Sequence, residues 1–206
     1  MNSKIDFING NTQKCLLSMT LPMIVAMFLN MAYNLVDSLW IGNLLGEQAY
    51  AALTNSTPII LILTSIGMGA TNGVSILLSQ AIGAKKETKK KRVLSTSFFV
   101  SVIFSILITI LLEVFLNPIL TALNTPDEIF DMARSYLSIY ILGYVAVYLY
   151  LYFTAVLRSF GNTMFQAVAM LVSTLLNAIL DPILIFGKFG FPQMGIKGAG
   201  IATVIG

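Results

Sequence analysis

Two aspartates lie inside stretches that otherwise have the composition of membrane-spanning helices. Asp37 lies within LNMAYNLVDSLWIG, and Asp181 lies within TLLNAILDPILIFG. A carboxylate at the centre of a bilayer costs about 2.5–3.5 kcal/mol on insertion scales, and such residues normally face the interior of a helix bundle. There they bind an ion, a proton or a charged substrate. These two positions therefore predict a cation or proton site inside the membrane.

The first of these stretches places further polar side chains beside its aspartate. Asn30, Asn34 and Asp37 are spaced at i, i+4 and i+7, which puts them on one face of a helix. Three polar side chains on one face of an apolar helix predict a cavity or a contact with another helix. For the two asparagines, hydrogen bonding between helices is an equally good explanation. Asp37 is the stronger site candidate, because a charge is costly as a packing element.

The second stretch repeats the pattern and adds a proline. Thr174, Asn177 and Asp181 are spaced at i, i+3 and i+7, and Pro182 follows at once. Proline has no N–H, so the carbonyl of Ala178 loses its helical donor. A carboxylate, an amide oxygen and a free carbonyl are oxygen ligands of the kind that hard cations prefer. Apolar surroundings favour a neutral carboxylic acid, so a proton could compete for this site. The alternative is a proline kink with Asp181 reaching water.

Two further groups of residues could line a cavity. Asn72 lies in the second apolar stretch among glycines, which in membrane helices usually allow close packing. The fourth stretch has tyrosines at intervals of four, namely Tyr136, Tyr140, Tyr144, Tyr148 and Tyr152. Successive members advance about 40° around a helix, so the stripe winds and cannot line one cavity. We interpret the outer two as interfacial anchors. The middle three could hold a lipophilic cation or pack in the core.

The composition is that of a membrane protein. Hydrophobic residues make up 57% of the chain and charged residues 10%, against about 45–50% and 25% in soluble domains. The single cysteine excludes an intrachain disulfide. Because the chain has no histidine, imidazole zinc sites and Ser-His or Cys-His catalysis are excluded as well. We therefore predict a protein that is not an enzyme and needs no cofactor.

Five apolar stretches are long enough to cross a bilayer, which requires about 20 helical residues. They predict spans at residues 16–41, 58–82, 93–116, 136–157 and 164–186. A sixth span begins near residue 195, but the chain ends before it is long enough to cross a bilayer. The fold class is thus an all-α, polytopic bundle of transmembrane helices with five spans and the start of a sixth. We expect residues 1–206 to be a fragment of a longer transporter.

The depth of the two aspartates predicts that they meet. Asp37 lies about four residues before the end of its span and Asp181 about five, which places both roughly 6–8 Å inside the helix ends. Asn177 would lie one turn deeper than Asp181, on the same face. We expect the two carboxylates to lie within about 10 Å of one another, so that one ion can link them.

Lysines and arginines are distributed unequally between the two sides of the spans. Nine lie in the leader (Lys4 and Lys14), in the loop GAKKETKKKR and after the fourth span, and three lie on the opposite side. Positively charged loops stay in the cytoplasm, so we predict a cytoplasmic N-terminus in the cell membrane. This topological role is favoured over recognition of lipids or nucleic acids, and no nucleic-acid partner is predicted.

In this order, the segments also resemble the multidrug and toxic compound extrusion (MATE) family along nearly the whole chain. LPMIVAMFLNMAYNLVDSLWIGNLLG followed by AYAAL is similar to the family's first helix and the loop after it. GMGATNGVSILLSQAIGAKK resembles the end of its second helix. The stretch from RSFGNT to LNAILDPILIFG resembles its fifth helix, and MGIKGAGIAT resembles the entry to its sixth.

The resemblance implies twelve helices in two lobes of six, with residues 1–206 forming the N-terminal lobe and the C-terminal lobe missing. It also implies export of amphipathic, often cationic compounds in antiport with Na+ or H+. In the prokaryotic branch of the family, the cation site uses an aspartate on helix one, an asparagine and an aspartate four apart on helix five, and a threonine on helix six. Asp37, Asn177 and Asp181 match that pattern, and Thr203 in GAGIAT is the matching threonine.

Three other functions are weaker interpretations of the same sequence. A flippase for lipid-linked precursors should have several cations facing its cavity, whereas Arg134 and Arg158 lie near span ends. An intramembrane aspartyl protease could activate water with two aspartates, but its YD and GxGD motifs are replaced here by VDS and LDP. A membrane scaffold without transport would leave two intramembrane carboxylates unexplained.

Overall fold

The structure, a computed structural model, describes residues 12–206. These residues form six α-helices and a short 3-10 turn at Lys188–Gly190, and no strand occurs within this range. The helices are α1 (Thr12–Leu45), α2 (Glu47–Gly83), α3 (Glu87–Ala122), α4 (Asp127–Ser159), α5 (Met164–Phe186) and α6 (Ile196–Ile205). The first five are long and apolar enough to cross a membrane. The predicted fold class is therefore confirmed, and the chain is a multi-pass membrane protein. Lys4 of the predicted leader lies outside the described residues.

Helices α1 to α4 extend beyond the predicted spans. Helix α2 begins at Glu47, not near residue 58, and α4 begins at Asp127, not near residue 136. The AYAAL segment, expected in a loop, forms the first turns of α2, so that prediction was wrong. Hydropathy identifies only the part of a helix inside the lipid, whereas this segment is held by packing: Ala49 and Ala52 are buried. Alanine is also the strongest helix former.

Helix α5 has the predicted bounds because its ends have clear local signals. It runs from Met164 to Phe186, after the FGNT turn. Gly187 then takes the left-handed conformation with φ of 73°, which glycine adopts at little cost after a helix. The turn that follows folds back on α5, since the main-chain N–H of Met194 donates to the carbonyl of Leu184. This return places α6 alongside α5.

Helix α4 is the central element of the bundle. It packs against α2, α3 and α6, while α5 packs against α1 and α6. The apolar core between α2, α3 and α4 includes Leu63, Leu116, Leu137 and Ile141, all of them almost fully buried. The helices around α4 turn large apolar side chains outward, and Leu17, Phe28 and Val114 are each at least two-thirds exposed. Such a surface suits contact with lipid rather than water.

The tyrosine stripe of α4 is buried along its whole length. The hydroxyl of Tyr144 donates to the carbonyl of Leu63 at 2.9 Å, and that of Tyr152 donates to the carbonyl of Leu94 at 3.1 Å. Tyr136 and Tyr152 are only 1% and 2% exposed, so their interpretation as interfacial anchors was wrong. Because the stripe winds around α4, its members contact different helices, and a central helix can bury all of them.

Candidate cation site

The packing of α1 against α5 brings the predicted site residues together. Asp37 on α1 is 5% exposed, and Asn177 and Asp181 on α5 are fully buried. Asp37 lies close enough to Asp181 for their charges to repel one another. Thr174, one turn before Asn177, joins the two helices by donating from its hydroxyl to the carbonyl of Leu29 at 3.4 Å. We call Asp37, Asn177 and Asp181 the carboxylate cluster.

The carboxylate cluster has more oxygen acceptors than donors. The side-chain amide of Asn177 donates to Oδ1 of Asp181 at 3.3 Å. Oδ1 of Asp37, Oδ1 of Asn177 and Oδ2 of Asp181 are buried without a hydrogen-bond partner. No ion pair joins either aspartate to a lysine or arginine within residues 12–206. A buried carboxylate without a partner is strongly unfavourable, so the cluster needs a positive charge.

Helix α6 brings Thr203 to the edge of the carboxylate cluster. The hydroxyl of Tyr33, four residues before Asp37, donates to the main-chain carbonyl of Thr203 at 3.1 Å. The Thr203 hydroxyl donates back along its own helix to the carbonyl of Ala199 at 2.9 Å. Its oxygen keeps a lone pair that could accept a hydrogen bond or contact a cation.

Two tyrosines that the sequence did not identify belong to this edge. Tyr136 is 1% exposed, and its ring faces α6, where a Cβ atom on Gly200 would lie 3.5 Å from it. Tyr33 could have been found from its position one turn before Asp37 on α1. Tyr136 carried no such signal, because only the packing of α4 against α6 places it beside Thr203.

The asparagines of α1 lie outside the carboxylate cluster. Asn34 is exposed and donates from its side-chain amide to the carbonyl of Asn30 at 2.7 Å. Asn30 is also exposed, with its amide 4.0 Å from the sulfur of Met170 on α5. Asp37 is turned toward α5, whereas the asparagines lie on the adjoining surface. Whether that surface borders a cavity stays a prediction.

The other candidate cavity residues lie elsewhere in the bundle. Asn72 is exposed near the far end of α2 and accepts a hydrogen bond from Arg158 at 2.5 Å. Tyr140 is 5% exposed and packs in the core with Tyr144. The hydroxyl of Tyr144 donates a hydrogen bond to the carbonyl of Leu63. The packing alternative therefore describes these tyrosines, and neither presents an open ring face to a cation.

Pro182 does not end helix α5. The helix continues for another turn to Phe186, and Pro182 itself is half-buried beside Asp181. Because Pro182 has no N–H, it donates no hydrogen bond to the carbonyl of Ala178. The bend itself stays a prediction, but the missing hydrogen bond leaves a flexible point next to the carboxylate cluster.

A third carboxylate within a predicted span was missed. Glu113 lies in α3, and its Oε1 accepts a hydrogen bond from the Ser138 hydroxyl at 2.6 Å, while its Oε2 is buried without a partner. One turn along, Arg134 donates to the side-chain oxygen of Asn117 at 2.7 Å. Glu113 could have been identified from the sequence, because it is an acidic residue inside the span predicted at residues 93–116. These contacts join α3 to α4 away from the carboxylate cluster.

The arrangement of the carboxylate cluster suits a small cation or a proton. Two carboxylates and an amide oxygen provide ligands for a hard cation, and either carboxylate can accept a proton. Groups of three or more histidine, cysteine or acidic side chains suited to a metal do not occur within the described part of the chain.

Comparison with known proteins identifies the family. The MatE family model matches residues 22–183, which include the whole carboxylate cluster. The chain belongs to the MatE family. This result confirms the resemblance seen in the sequence, and it makes the chain a member of a family of membrane transporters. It removes support for the intramembrane protease.

The relatives of this MatE chain are membrane transporters about twice its length. A probable multidrug resistance protein of Bacillus subtilis, YoeA, is 32% identical over 89% of the chain and 40% of its own length. A protein of Shewanella oneidensis named FAD transporter is 29% identical over 99% of the chain and 45% of its own length. A solved multidrug resistance MATE transporter in an outward-facing conformation superposes with a TM-score of 0.89 at 25% identity, covering the whole chain and 44% of that protein. The chain thus spans less than half the length of these relatives.

Proposed function

We propose that this MatE chain is the N-terminal lobe of a secondary active multidrug exporter. In this proposal, Na+ or H+ binds at the carboxylate cluster and drives the export of amphipathic, often cationic compounds. The observation that carries the proposal is the set of three buried oxygens without partners, contributed by Asp37, Asn177 and Asp181. A cation-coupled transporter requires a site of this kind, which a bound positive charge completes.

The carboxylate cluster also suggests how ion binding is linked to movement. Without a cation, Asp37 and Asp181 repel one another across the interface of α1 and α5. A bound cation or proton would replace that repulsion with attraction and draw the two helices together. Thr203 on α6 would complete the site, and Pro182 would let α5 bend. Each ion-binding event would then shift the bundle between two arrangements.

Export requires a second lobe, which we propose lies beyond residue 206 in the complete transporter. The matched relatives are more than twice as long as the segment that this chain covers. The nine-to-three distribution of lysines and arginines supports an N-terminus in the cytoplasm of the cell membrane. With this orientation, the carboxylate cluster lies in the outer half of the membrane.

The substrate class is inferred from the relatives. Several are named multidrug resistance or multidrug export proteins, which favours amphipathic compounds. The relative named FAD transporter makes a phosphate-bearing nucleotide the second candidate. A lipid-linked precursor flippase is less well supported. Arg134 and Arg158 each bind a neutral asparagine near a helix end, away from the carboxylate cluster.

Transport by the full-length protein in liposomes tests the proposal and identifies the ion. Ethidium movement is measured with an imposed Na+ gradient at equal pH, and separately with a pH gradient in the absence of Na+. We expect one of the two gradients to drive ethidium transport in the wild type and neither to do so in Asp181→Asn. The proposal fails if ethidium moves equally well without either gradient, or if the variant remains coupled.

A further inference from the structure

A small polar pocket lies at the opposite end of the bundle from the carboxylate cluster. It has a volume of about 70 Å³ and lies between the second half of α2, the last turns of α4 and the start of α5. This volume is far below the roughly 300–1,000 Å³ of pockets that hold drug-sized ligands, so it suits a small group such as a phosphate. Its polar lining consists chiefly of Thr71, Asn72, Thr154, Arg158 and Gln166.

Arg158 contributes a positive charge that has no negative partner among the residues that the structure describes. Its guanidinium donates one hydrogen bond at 2.5 Å to the neutral side chain of Asn72. Within residues 12–206 no carboxylate forms an ion pair with it, and no acidic residue lines the pocket. A guanidinium has five N–H donors in a planar fork that matches the oxygens of a phosphate. Most of that donor capacity is available to an anion.

Gln166 and the start of α5 add donors on the other side of the pocket. Oε1 of Gln166 is buried without a partner, so this amide is not fixed by the protein. A half-turn of the amide exchanges Oε1 and Nε2 and would direct an N–H into the pocket. Gln166 also lies in the first turn of α5, where the helix dipole favours negative charge.

The surroundings of the pocket are positively charged as well. The turn between α2 and α3 lies toward the same end of the bundle and contains Lys85 and Lys86, and the first two turns of α3 add Lys89 and Arg92. We propose that the pocket around Arg158 binds a phosphate group, from either a lipid headgroup or a soluble phosphate-bearing compound. This site is separate from the carboxylate cluster, and the proposal does not depend on cation-coupled export.

Two measurements on the full-length transporter in detergent distinguish the two sources. The first compares thermal unfolding in sodium phosphate and in sodium chloride at equal ionic strength. The second counts lipids retained in native mass spectrometry after addition of dioleoyl phosphatidylglycerol or dioleoyl phosphatidylcholine. Because phosphate also stabilises folded proteins without binding them, the response is the part of the rise in Tm that exceeds the rise in sulfate at equal ionic strength, and such an excess indicates a soluble source. Selective retention of phosphatidylglycerol indicates a lipid source.

Arg158→Gln should abolish whichever response the wild type gives. Arg134→Gln is the matched control, because Arg134 makes the same kind of hydrogen bond to an asparagine but does not line this pocket. Gln166→Met should fold well, since it removes a buried acceptor that has no partner, and it should weaken the response about threefold by removing one donor. The proposal is overturned if the wild type gives neither response, or if the response persists in Arg158→Gln. If Arg158→Gln does not fold, an unchanged response in Gln166→Met overturns it instead.

Discussion

Asp37 and Asp181 lie beside one another, although none of the neutral groups around them is stabilised by this arrangement. Both are buried, and Asn177 offers only one amide donor at 3.3 Å to the pair. Replacing a buried charged group by a well-packed neutral one is often neutral or stabilising. The two carboxylates therefore make physical sense as a binding site for a cation, and they should be dispensable for folding.

This reasoning predicts that Asp37→Asn and Asp181→Asn each abolish coupled export without preventing membrane insertion. An amide keeps the shape of the carboxyl group but cannot neutralise a cation or alternate between a protonated and an ionised form. In cells expressing the full-length transporter, drug accumulation should rise to the level of cells without it. Asp127→Asn, at an exposed helix start, should export normally. Normal export by either site variant, at equal expression, would remove that residue from the site.

Tyr136 and Tyr144 lie two turns apart on α4 but should respond differently to loss of the hydroxyl. Tyr136→Phe removes a hydroxyl at the contact of α4 with α6, the helix that carries Thr203, so the cation concentration for half-maximal export should rise about 2–10-fold. Tyr144→Phe removes only the hydrogen bond to the carbonyl of Leu63 and should cost about 1 kcal/mol of stability with unchanged coupling. Titration of export against the coupling ion separates the two. Equal cation dependence in both variants would assign Tyr136 a packing role.

At the scale of helices, the position of Thr203 depends on how closely α6 approaches α5. A Cβ atom on Gly198 would lie 2.7 Å from the main-chain carbonyl of Leu184, which is much closer than such atoms approach. The backbone of α5 cannot move aside as a flexible side chain can. Small residues at a contact between membrane helices permit this kind of packing. Gly198 is therefore the residue that sets the distance from α6 to the cluster.

Gly198→Ala is accordingly expected to destabilise the bundle by about 1–3 kcal/mol, as overpacking generally does. It should also weaken ion coupling, because α6 moves away and takes Thr203 with it. Gly69→Ala is the matched control, since a Cβ at that position meets no atom within 4 Å. Thermal unfolding of the two purified variants should show a lower Tm for Gly198→Ala only. Equal values would mean that α5 and α6 are not in tight contact.

At the scale of the whole molecule, charge and apolar surface together define how the bundle lies in the membrane. The turn between α2 and α3 and the first two turns of α3 together carry five of the nine lysines, whereas α4 begins at the opposite end with Asp127 and Glu128. Between these ends, the surface exposes large apolar side chains such as Leu17, Phe28 and Val114. The positive end should therefore face the cytoplasm and the acidic end the outside.

Cysteine labelling in intact cells checks this orientation. In a Cys15→Ser background, Lys89→Cys should react with a membrane-impermeant maleimide only after the cells are opened. Asp127→Cys should react in intact cells, because the start of α4 lies at the opposite end of the bundle from the start of α3. The reverse labelling pattern would invert the orientation and with it the direction of transport.

The sequence by itself determined the class of fold and the centre of the site. Five apolar stretches require helices because the backbone has no other partner in lipid. Asp37, Asn177 and Asp181 could be selected because polar groups at that depth are costly and their helical spacing was visible. Helix α5 could be delimited closely, since both of its ends have local turn signals. Glu113 could have been found by the same reasoning and was overlooked.

Only the tertiary structure decided which residues complete the site and which merely pack. Tyr136 and Tyr144 belong to the same stripe of tyrosines at intervals of four, but Tyr136 packs against α6, whereas the Tyr144 hydroxyl donates to the carbonyl of Leu63 on α2. Likewise, Asn34 shares a helical face with Asp37 but lies exposed, outside the contact with α5. Local spacing specifies where a side chain lies on its own helix. Which neighbour it meets depends on how separate helices pack, and no periodicity within one helix contains that information.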